Sequence, residues 1–266
     1  MSAQKSNVLL ELSEARRRDA RLREADVPFA EMVRLAELAP APRGFAAALR
    51  GGGIRVIAEL KKASPSEGMI RGDFRPPELA RELADSGAAA LSVLCEPHRF
   101  LGGEEYLRAA RAEVDIPVLY KDFVTTRYQV AAARAAGADA VLLIAAVLGD
   151  AELADLLGFA HGLGLDALVE THGADEIARA VACGAGVVGV NCRDLRNFST
   201  DVSLLERLVG EIPADRVRVA ESGMHDAGAI ARAKAAGADA FLVGTALMRA
   251  PSPGAKLREL INRHDT

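Results

Sequence analysis

The sequence predicts an α/β fold, a (β/α)8 TIM barrel with an N-terminal helical extension, and two regularities along the chain support this prediction. A phrase of small residue, Gly and Ala recurs four times just before an apolar run, at Ser86-Gly87-Ala88, Ala136-Gly137-Ala138, Cys183-Gly184-Ala185 and Ala236-Gly237-Ala238. Eight apolar runs are each followed by a segment rich in Ala, Leu and Arg. Each unit is therefore a strand followed by a helix.

The recurring phrase predicts a junction between a helix and the next strand. Glycine just past a helix supplies the left-handed residue that ends it, and the runs that follow are apolar without alternation, as in parallel strands buried on both faces. The predicted strands are Val56–Leu60, Leu91–Leu94, Val118–Lys121, Val141–Ile144, Leu168–Glu170, Val187–Asn191, Val217–Glu221 and Phe241–Gly244. Eight even units without a linker favour a closed barrel over a doubly wound sheet.

The chain is predicted to be a single barrel domain over residues 1–266, in which residues 1–50 form the N-terminal helical extension. Arg16-Arg17-Arg18 lies in this extension, but acidic residues are interleaved with it, unlike in a transit peptide. A solvated amphipathic helix is the prediction for this segment.

Composition limits the possible partners. The net charge is −4, from 33 basic and 37 acidic residues spread along the 266-residue chain, which predicts no binding to nucleic acid or to an anionic membrane. Three cysteines without a CxxC pair indicate a reduced, cytoplasmic protein, and five histidines without ligand spacing indicate no metal and no cofactor. We expect a small-molecule ligand and a monomer or weak homo-oligomer.

The first predicted strand ends in two opposite charges. Side chains alternate along a strand, so Ile57, Glu59 and Lys61 share one face. A carboxylate and an ammonium at the mouth of an apolar strand are costly to desolvate, and they are kept mostly where they pair or take part in chemistry. This strand end is therefore predicted to belong to an active site.

Other strands end in polar residues as well, and in a barrel these ends converge on one mouth. The additional residues are Lys121, Glu170, Asn191, Arg193 and Glu221. Any one of them is explained equally well by a solvated strand end or a salt bridge at the rim. Together, two lysines and three glutamates form a network whose pKa values can be set apart for general acid/base catalysis.

The last two strands are followed by Ser222-Gly223 and Gly244-Thr245, in the loops where barrel enzymes build phosphate sites. These residues predict a phosphorylated substrate. Apolar residues also reach the mouth, and of these Leu142 and Ile144 are more simply explained as core. Phe100, beside Gly102-Gly103, favours a flat ring in the substrate. The full apolar set is Pro65, Phe100, Phe123, Leu142, Ile144 and Leu195.

Six segments, in this order and spacing, resemble the indole-3-glycerol-phosphate synthase family of tryptophan biosynthesis across nearly the whole chain. They are IAELKKASPS at 57–66, LSVL at 91–94, PVLYKDF at 117–123, LVE at 168–170, GVNCRDL at 189–195 and AESG at 220–223. The resemblance implies closure of the indole ring of 1-(2-carboxyphenylamino)-1-deoxy-D-ribulose 5-phosphate, with loss of carbon dioxide and water and without cofactor or metal.

The resemblance also implies roles for the residues at the mouth. Lys121 would be the general acid that protonates the ribulose carbonyl, and Glu170 the acid/base carboxylate of the later dehydration. Lys61 would donate a proton and pair with an anion. Glu59, Glu221 and Asn191 would orient these groups. Substrate contacts would come from the phosphate set Ser222, Gly223, Gly244 and Thr245, the apolar set above, Arg193 and Ser64.

The sequence departs from the common pattern of that family at Cys192, Cys95, Gly103 and Tyr120. None of these changes removes a proposed catalytic group, but Gly103 leaves open how the loop that contains Phe100 is held.

Two other functions remain possible on the sequence alone. A lyase or aldolase could use Lys121 or Lys61 as a Schiff base, because a lysine in an apolar mouth can have a lowered pKa. A phosphate-ligand sensor without catalysis is the other alternative. The complete acid/base set argues against this sensor, since a binder needs no such set.

Overall fold

The computed structural model describes residues 8–193 and 202–262. Its centre is a closed barrel of eight parallel strands, which confirms the predicted fold class. The barrel strands are β1 (Arg55–Leu60), β4 (Ala90–Leu94), β5 (Val118–Lys121), β6 (Ala140–Ile144), β7 (Asp166–Thr171), β8 (Val187–Asn191), β9 (Val217–Glu221) and β10 (Ala240–Val243).

Each barrel strand pairs with its neighbours in chain order, and β1 closes the ring by pairing with both β4 and β10. The register aligns Ile57 with Ala90 on one side of β1 and with Leu242 on the other. The predicted strands agree with these bounds to within two residues. Gly244, predicted as the end of the last strand, instead precedes the helix that follows β10, and its carbonyl accepts the first bonds of that helix.

Helices surround the barrel and extend the chain before β1. They are α1 (Val8–Asp26), α2 (Phe29–Leu38), α3 (Phe45–Ala48), α4 (Pro76–Asp85), α5 (Glu104–Glu113), α6 (Arg127–Ala135), α7 (Asp150–Gly162), α8 (Ala174–Ala182), α9 (Val202–Val209), α10 (Ala227–Ala235), α11 (Thr245–Arg249) and α12 (Pro253–Asn262). None of the described helices has the length and apolar character that a membrane crossing requires.

The four glycines of the recurring phrase have positive φ angles, at Gly87, Gly137, Gly184 and Gly237. Each follows the last turn of a helix and leads into a barrel strand, as the sequence predicts. In two of these junctions an aspartate adds a hydrogen bond to the preceding strand. Asp139 and Asp239 each accept a hydrogen bond, at 2.8 Å, from the backbone N–H of the first or second residue of the preceding strand.

The barrel strands bury both faces, and the two faces form separate parts of the core. Val56, Ala58 and Leu60 point outward to the surrounding helices, whereas Ile57 points inward. Phe45 and Leu49, in and just after α3, pack against the inward residues and are fully buried. A helical turn before β1 therefore contributes to the filling of the barrel.

The loop after β1 contains a small antiparallel hairpin that the sequence does not predict. Its strands are β2 (Ala63–Ser64) and β3 (Gly68–Met69). Gly68 has a φ of 64°, and the Ser64 hydroxyl accepts a hydrogen bond from the backbone N–H of Glu67 at 3.2 Å. The hairpin thus gives a fixed shape to the loop that follows Lys61.

Helix α1 packs against the mouth of the barrel instead of being solvated on all sides. Leu9 and Leu12 are buried with Phe123. Arg16 donates hydrogen bonds from Nε and Nη2 to Asp122, whose side chain has no exposed surface, and the shortest contact is 2.6 Å. The predicted solvated helix is therefore wrong on this face, because a carboxylate at the end of β5 needs a cation that α1 supplies.

Candidate active site

A cavity of about 540 Å³ opens where the barrel strands end. Most of the residues predicted from the sequence lie around it, from all eight strand ends or the loops that follow them. From the predicted set these are Glu59, Lys61, Phe100, Lys121, Phe123, Leu142, Ile144, Glu170, Asn191, Arg193, Glu221, Ser222, Gly223, Gly244 and Thr245.

Glu59 and Lys61, two residues apart on β1 and just after it, form a buried ion pair with 2.6 Å between Nζ and Oε1. Burial opposes ionisation of Glu59, but the charges of Lys61 and Lys121 outweigh it and lower the pKa of Glu59. Gly244 leaves space for this pair, because a Cβ there would clash with the Glu59 carboxylate. The pair is thus held ionised on one side of the cavity.

Lys121, the last residue of β5, lies between two carboxylates, those of Glu170 on β7 and Glu221 on β9. Its Nζ is 3.5 Å from Glu170 Oε2 and 3.3 Å from Glu221 Oε2. Burial by itself would lower the pKa of Lys121, but the negative charges of Glu221, Glu170 and Glu59 raise it above the ordinary lysine value. The side chain is an ammonium at neutral pH.

Among the three buried glutamates, Glu221 is the one whose pKa is raised; the pKa values of Glu59 and Glu170 are lowered. Burial raises the pKa of Glu221 to about 7, and the nearby charge of Glu170 adds to this effect while Lys121 opposes it. Glu221 Oε1 has no hydrogen-bond partner among the described residues. Gly189 on β8 leaves the space that this oxygen occupies, since a Cβ there would clash with it. Two carboxylates beside one lysine therefore differ in protonation near neutrality.

Glu170 contacts a second cationic group that sequence reasoning missed. Its Oε1 is 3.5 Å from Nε2 of His172, and Nδ1 of the same ring is 3.6 Å from Glu176 Oε2. Burial raises the pKa of Glu170, but Lys121, His172 and a hydrogen bond from Asn191 lower it overall. The sequence signal for this contact is the position of His172 directly after β7.

Asn191, at the end of β8, connects three parts of the site. Its Oδ1 accepts hydrogen bonds from the Ser222 hydroxyl at 2.7 Å and from the Arg193 backbone N–H at 3.1 Å. Ser222 and Gly223 have left-handed backbones, with φ angles of 62° and 72°. Such a conformation is uncommon for serine and is stabilised here by the side-chain bond to Asn191.

One part of the cavity wall, formed by β6 and by the loops after β4 and β5, is apolar and aromatic. The rings of Phe100 and Phe123 lie 6.3 Å apart between centroids and are tilted by 45°. Leu142 and Ile144 belong to the inner core and line the cavity at the same time. These two residues can therefore be part of the core and contact the substrate as well.

The loop that contains Phe100 is held by Glu96, a buried residue that the sequence reading did not select. Its carboxylate accepts hydrogen bonds from the backbone N–H groups of His98, Arg99 and Phe100 at 2.7 to 2.8 Å. Gly103 is the N-cap residue before α5 and makes no side-chain capping hydrogen bond. The loop is thus fixed from within by Glu96.

Ser64 and Pro65 lie beside a smaller cavity of about 40 Å³ between α1 and the loop after β1. This cavity shares four lining residues with the main one, Lys61, Phe100, Phe123 and Arg193. Leu195, the last predicted contact, lies outside the described residues. Arg249 and His225, which were not predicted, also line the main cavity.

Within residues 8–193 and 202–262, no group of three or more His, Cys, Asp and Glu side chains is arranged to hold a metal ion.

The family model described as indole-3-glycerol phosphate synthase matches residues 9–260. The chain belongs to the indole-3-glycerol phosphate synthase family. The family resemblance read from the six sequence segments is thereby confirmed.

Individual members of the indole-3-glycerol phosphate synthase family agree with this assignment. The chain is 48% identical to the enzyme of that name from Micrococcus luteus over 95% of this chain and 96% of the relative. It is 49% identical to indole-3-glycerol phosphate synthase 2 of Streptomyces coelicolor over 87% of this chain and 90% of the relative.

A solved structure outside the family supports the fold alone. Thiamine phosphate pyrophosphorylase from Pyrococcus furiosus superimposes with a TM-score of 0.57 at 18% identity, covering 78% of this chain and 93% of that chain. At this identity the likeness concerns only the arrangement of strands and helices.

The departures from the common indole-3-glycerol phosphate synthase pattern lie behind the cavity. Tyr120 donates a hydrogen bond to Asp122 at 3.0 Å, and the Cys95 thiol donates one to the Val93 carbonyl at 3.4 Å. Burial raises the pKa of both Tyr120 and Cys95, so both stay neutral. Cys192 contacts the Glu221 carbonyl. These residues pack the strand ends and are absent from the described cavity wall.

Proposed function

We propose that the chain closes the indole ring of 1-(2-carboxyphenylamino)-1-deoxy-D-ribulose 5-phosphate by general acid/base catalysis, with Lys121 as the acid of the first step. Membership of the indole-3-glycerol phosphate synthase family supports the reaction, and the relatives carry the name of its product. The observation that supports the assignment of roles is the buried Lys121 ammonium between Glu170 and Glu221.

In the first step the ring carbon that bears the carboxylate attacks the ribulose carbonyl. The carbonyl oxygen becomes an alkoxide, which is more basic than an amine, so it takes a proton from the Lys121 ammonium despite the raised pKa of that group. Carbon dioxide then leaves and its bonding electrons restore the aromatic ring. Glu170 and Glu221 hold Lys121 in place for this transfer.

The second step removes water from the cyclised intermediate. Lys61 donates a proton to the leaving hydroxyl, and Glu170 accepts the proton that the intermediate loses as the double bond forms. Glu170 suits the accepting role because Lys121 and His172 keep it ionised. Glu59 orients Lys61 through their 2.6 Å ion pair, and Glu221 and Asn191 orient Lys121 and the sugar hydroxyls.

The remaining cavity residues account for the other parts of the substrate. Ser222, Gly223, Gly244 and Thr245 offer backbone N–H groups for the phosphate, and Arg249 adds a nearby cation. Phe100 and Phe123, with Leu142 and Ile144 below them, form a slot for the benzene ring. We assign Arg193 and Lys61 as the cations that bind the substrate carboxylate. Ser64, Pro65 and Leu195 are assigned as substrate contacts at the rim of the cavity.

A Schiff base at Lys121 would require a neutral amine. Burial lowers the pKa of Lys121, but three carboxylates raise it by more, so the neutral amine is disfavoured. This disfavours the lyase or aldolase alternative. Borohydride reduction in the presence of substrate tests the point: a covalent adduct at Lys121 or Lys61 would refute the acid/base assignment.

The decisive experiment is a turnover assay of the purified chain with the ribulose phosphate substrate. The indole product is detected by its fluorescence. We expect turnover in the parent chain and a loss of roughly 10³-fold in kcat for Lys121→Ala, with substrate still bound. The exposed lysine on α10 gives a matched control, Lys234→Ala, which should keep the parental kcat. Normal turnover in Lys121→Ala would overturn the assignment of the acid.

We also assign the chain to the cytoplasm as a monomer or weak homo-oligomer. The three cysteines, all within the described residues, form no disulfide, which fits a reducing compartment. Light scattering at increasing concentration measures the oligomeric state, and a stable dimer at low concentration would contradict this part of the proposal.

A further inference from the structure

We propose that Glu96 is a positioning residue that fixes the ring of Phe100 and thereby makes the site select ligands that carry a flat arylamino group. This inference rests on the proposed function, because it takes Phe100 as one side of the slot for the benzene ring. Glu96 is absent from the described wall of the main cavity, so it acts on the substrate through Phe100.

Glu96 lies two residues after β4 and is fully buried. Its Oε1 accepts the backbone N–H of His98 at 2.7 Å, and its Oε2 accepts those of Arg99 and Phe100 at 2.7 and 2.8 Å. A carboxylate accepts hydrogen bonds on both oxygens, whereas a glutamine side chain has one oxygen and an NH₂ group that only donates. The three N–H groups therefore require a carboxylate at this position.

The side chains of the first two residues that Glu96 binds are on the outside of the loop. His98 and Arg99 are exposed, so water could accept their backbone N–H groups. A buried carboxylate is costly unless its hydrogen bonds are complete, and this one is not needed to satisfy the loop. Its effect is to hold three successive residues in one conformation.

The backbone restricts the same loop further. The Glu96 carbonyl accepts the N–H of Gly102 at 2.8 Å, and the Leu94 carbonyl accepts that of Gly103 at 3.2 Å. Leu101 has a φ of 52°, in the left-handed region that leucine seldom adopts. A Cβ at Gly102 would clash with the Leu94 carbonyl. The loop therefore lies tightly against the end of β4.

This conformation turns one large apolar side chain of the loop inward. Phe100 lines both cavities, and its ring centroid is 6.3 Å from that of Phe123, whereas the adjacent Leu101 is 40% exposed. The backbone N–H of Phe100 is the last of the three that Glu96 accepts. Loss of the carboxylate would therefore release the Phe100 ring relative to Phe123.

The two ends of the substrate depend on different parts of the barrel. The residues assigned to the phosphate lie in the loops after β9 and β10 and at the start of α11, whereas Phe100 lies in the loop after β4. Loss of Glu96 should therefore weaken binding of the arylamino end and leave the phosphate end unchanged. A general loss of structure would weaken both.

Helix α1 offers a second attachment for the same loop. His98 Nε2 lies 2.7 Å from Asp19 Oδ2, but these side chains are 45% and 32% exposed. Exposed pairs of this kind contribute little to stability. We therefore expect the buried carboxylate to determine the position of Phe100, and His98→Ala, which removes only the attachment to α1, to have a smaller effect than Glu96→Gln.

Calorimetric titration with two ligands tests the proposal. One ligand is the substrate with its carbonyl reduced to an alcohol, and the other is ribulose 5-phosphate, which lacks the arylamino group. In Glu96→Gln we expect Kd to rise roughly tenfold for the first and to stay within about twofold for the second. With the unreduced substrate, KM should rise while kcat stays within about threefold, because the acid/base groups lie on other strands. Glu78→Gln, at an exposed position on α4, is the matched control and should keep both parental Kd values.

A double-mutant cycle shows whether Glu96 acts through Phe100. Phe100→Ala alone should raise the Kd of the arylamino ligand, and Glu96→Gln should add nothing further in that background. Additive effects of the two substitutions would refute the positioning role.

Three further outcomes would overturn the proposal. These are an unchanged Kd for the arylamino ligand in Glu96→Gln, an equal loss of affinity for both ligands, and a loss in His98→Ala as large as in Glu96→Gln. If Glu96→Gln does not fold, Glu96→Asp replaces it with the same expected pattern, because the shorter carboxylate cannot reach all three N–H groups. A parent chain that does not turn over the ribulose phosphate substrate would refute the proposed function instead, so the two failures are distinguishable.

Discussion

Two glycines on the inner side of the barrel determine where the buried carboxylates lie. A Cβ at Gly244 would meet the Glu59 carboxylate and approach Lys61 Nζ to 3.1 Å, and a Cβ at Gly189 would meet the Glu221 carboxylate. Neither glycine has a positive φ angle, so the requirement is for space and not for backbone conformation. The absence of a side chain at these positions is therefore part of the geometry of the site.

We predict that Gly189→Ala lowers kcat by roughly 10²-fold with little loss of stability. The added methyl group displaces Glu221 Oε1, and Glu221 is one of the two groups that hold Lys121; a displacement of about 1 Å can cost this much in rate. Gly186→Ala is the control, because nothing lies within 4 Å of a Cβ at Gly186. Equal kcat values for the two variants would contradict the role given to Glu221.

At the scale of elements, helix α1 is attached to the barrel mainly through its charged residues. Arg16 donates to Asp122 at the end of β5, while Asp19 lies 2.7 Å from His98 in the loop after β4 and Arg23 pairs with Glu104 at the start of α5. Leu9 and Leu12 add an apolar contact beside Phe123. The helix therefore joins the strand ends that support Phe100 and Phe123.

We predict that Arg16→Met releases α1 and destabilises the protein by about 3 kcal/mol, because it leaves the buried Asp122 carboxylate without its cation. Hydrogen exchange should increase along Val8–Asp26, and KM should rise more than kcat falls, since α1 covers the aromatic wall. Arg18→Met, at an exposed position on the same helix, should change none of these quantities. Unaltered exchange in Arg16→Met would show that the apolar contact alone holds the helix.

The elements that the sequence predicts well are those with a local signal. An apolar run after a helix-ending glycine is sufficient to find each strand, and alternation along β1 places Glu59 and Lys61 inward. The docking of α1 has no such signal, because Arg16 and Asp122 are 106 residues apart. His172 was overlooked for a different reason: its partners Glu170 and Glu176 are close in the sequence, but the sequence does not show that the ring lies between their carboxylates.

At the scale of the whole molecule, the site works against the stability of the fold. The barrel interior is apolar from Phe45 up to Leu142 and Ile144. Above it lie four buried charged residues and one that is 14% exposed, Lys121; the buried four are Glu59, Lys61, Glu170 and Glu221. The ion pairs offset part of the desolvation cost. Glu221 is the group for which this compensation is incomplete, because burial and the charge of Glu170 together outweigh the effect of Lys121.

The raised pKa of Glu221 predicts a measurable dependence of global stability on pH. The group titrates at about 7 in the folded state and near 4.5 when unfolded, so between these values the folded state binds more protons than the unfolded state. The contribution is therefore fully present below pH 4.5 and is lost as the pH rises to 7, by an amount on the order of 3 kcal/mol. Urea unfolding at a series of pH values measures the decline.

The comparison with Glu221→Gln isolates this effect, because other titrating groups are common to both proteins. We expect the difference in unfolding free energy, parent minus variant, to fall between pH 4.5 and 7 and to be constant above that range. Glu211→Gln, at an exposed position before β9, should give a difference that does not vary with pH. If the curves of the parent and Glu221→Gln are parallel, Glu221 is ionised at the bottom of this range, and the carboxylates beside Lys121 do not differ in protonation.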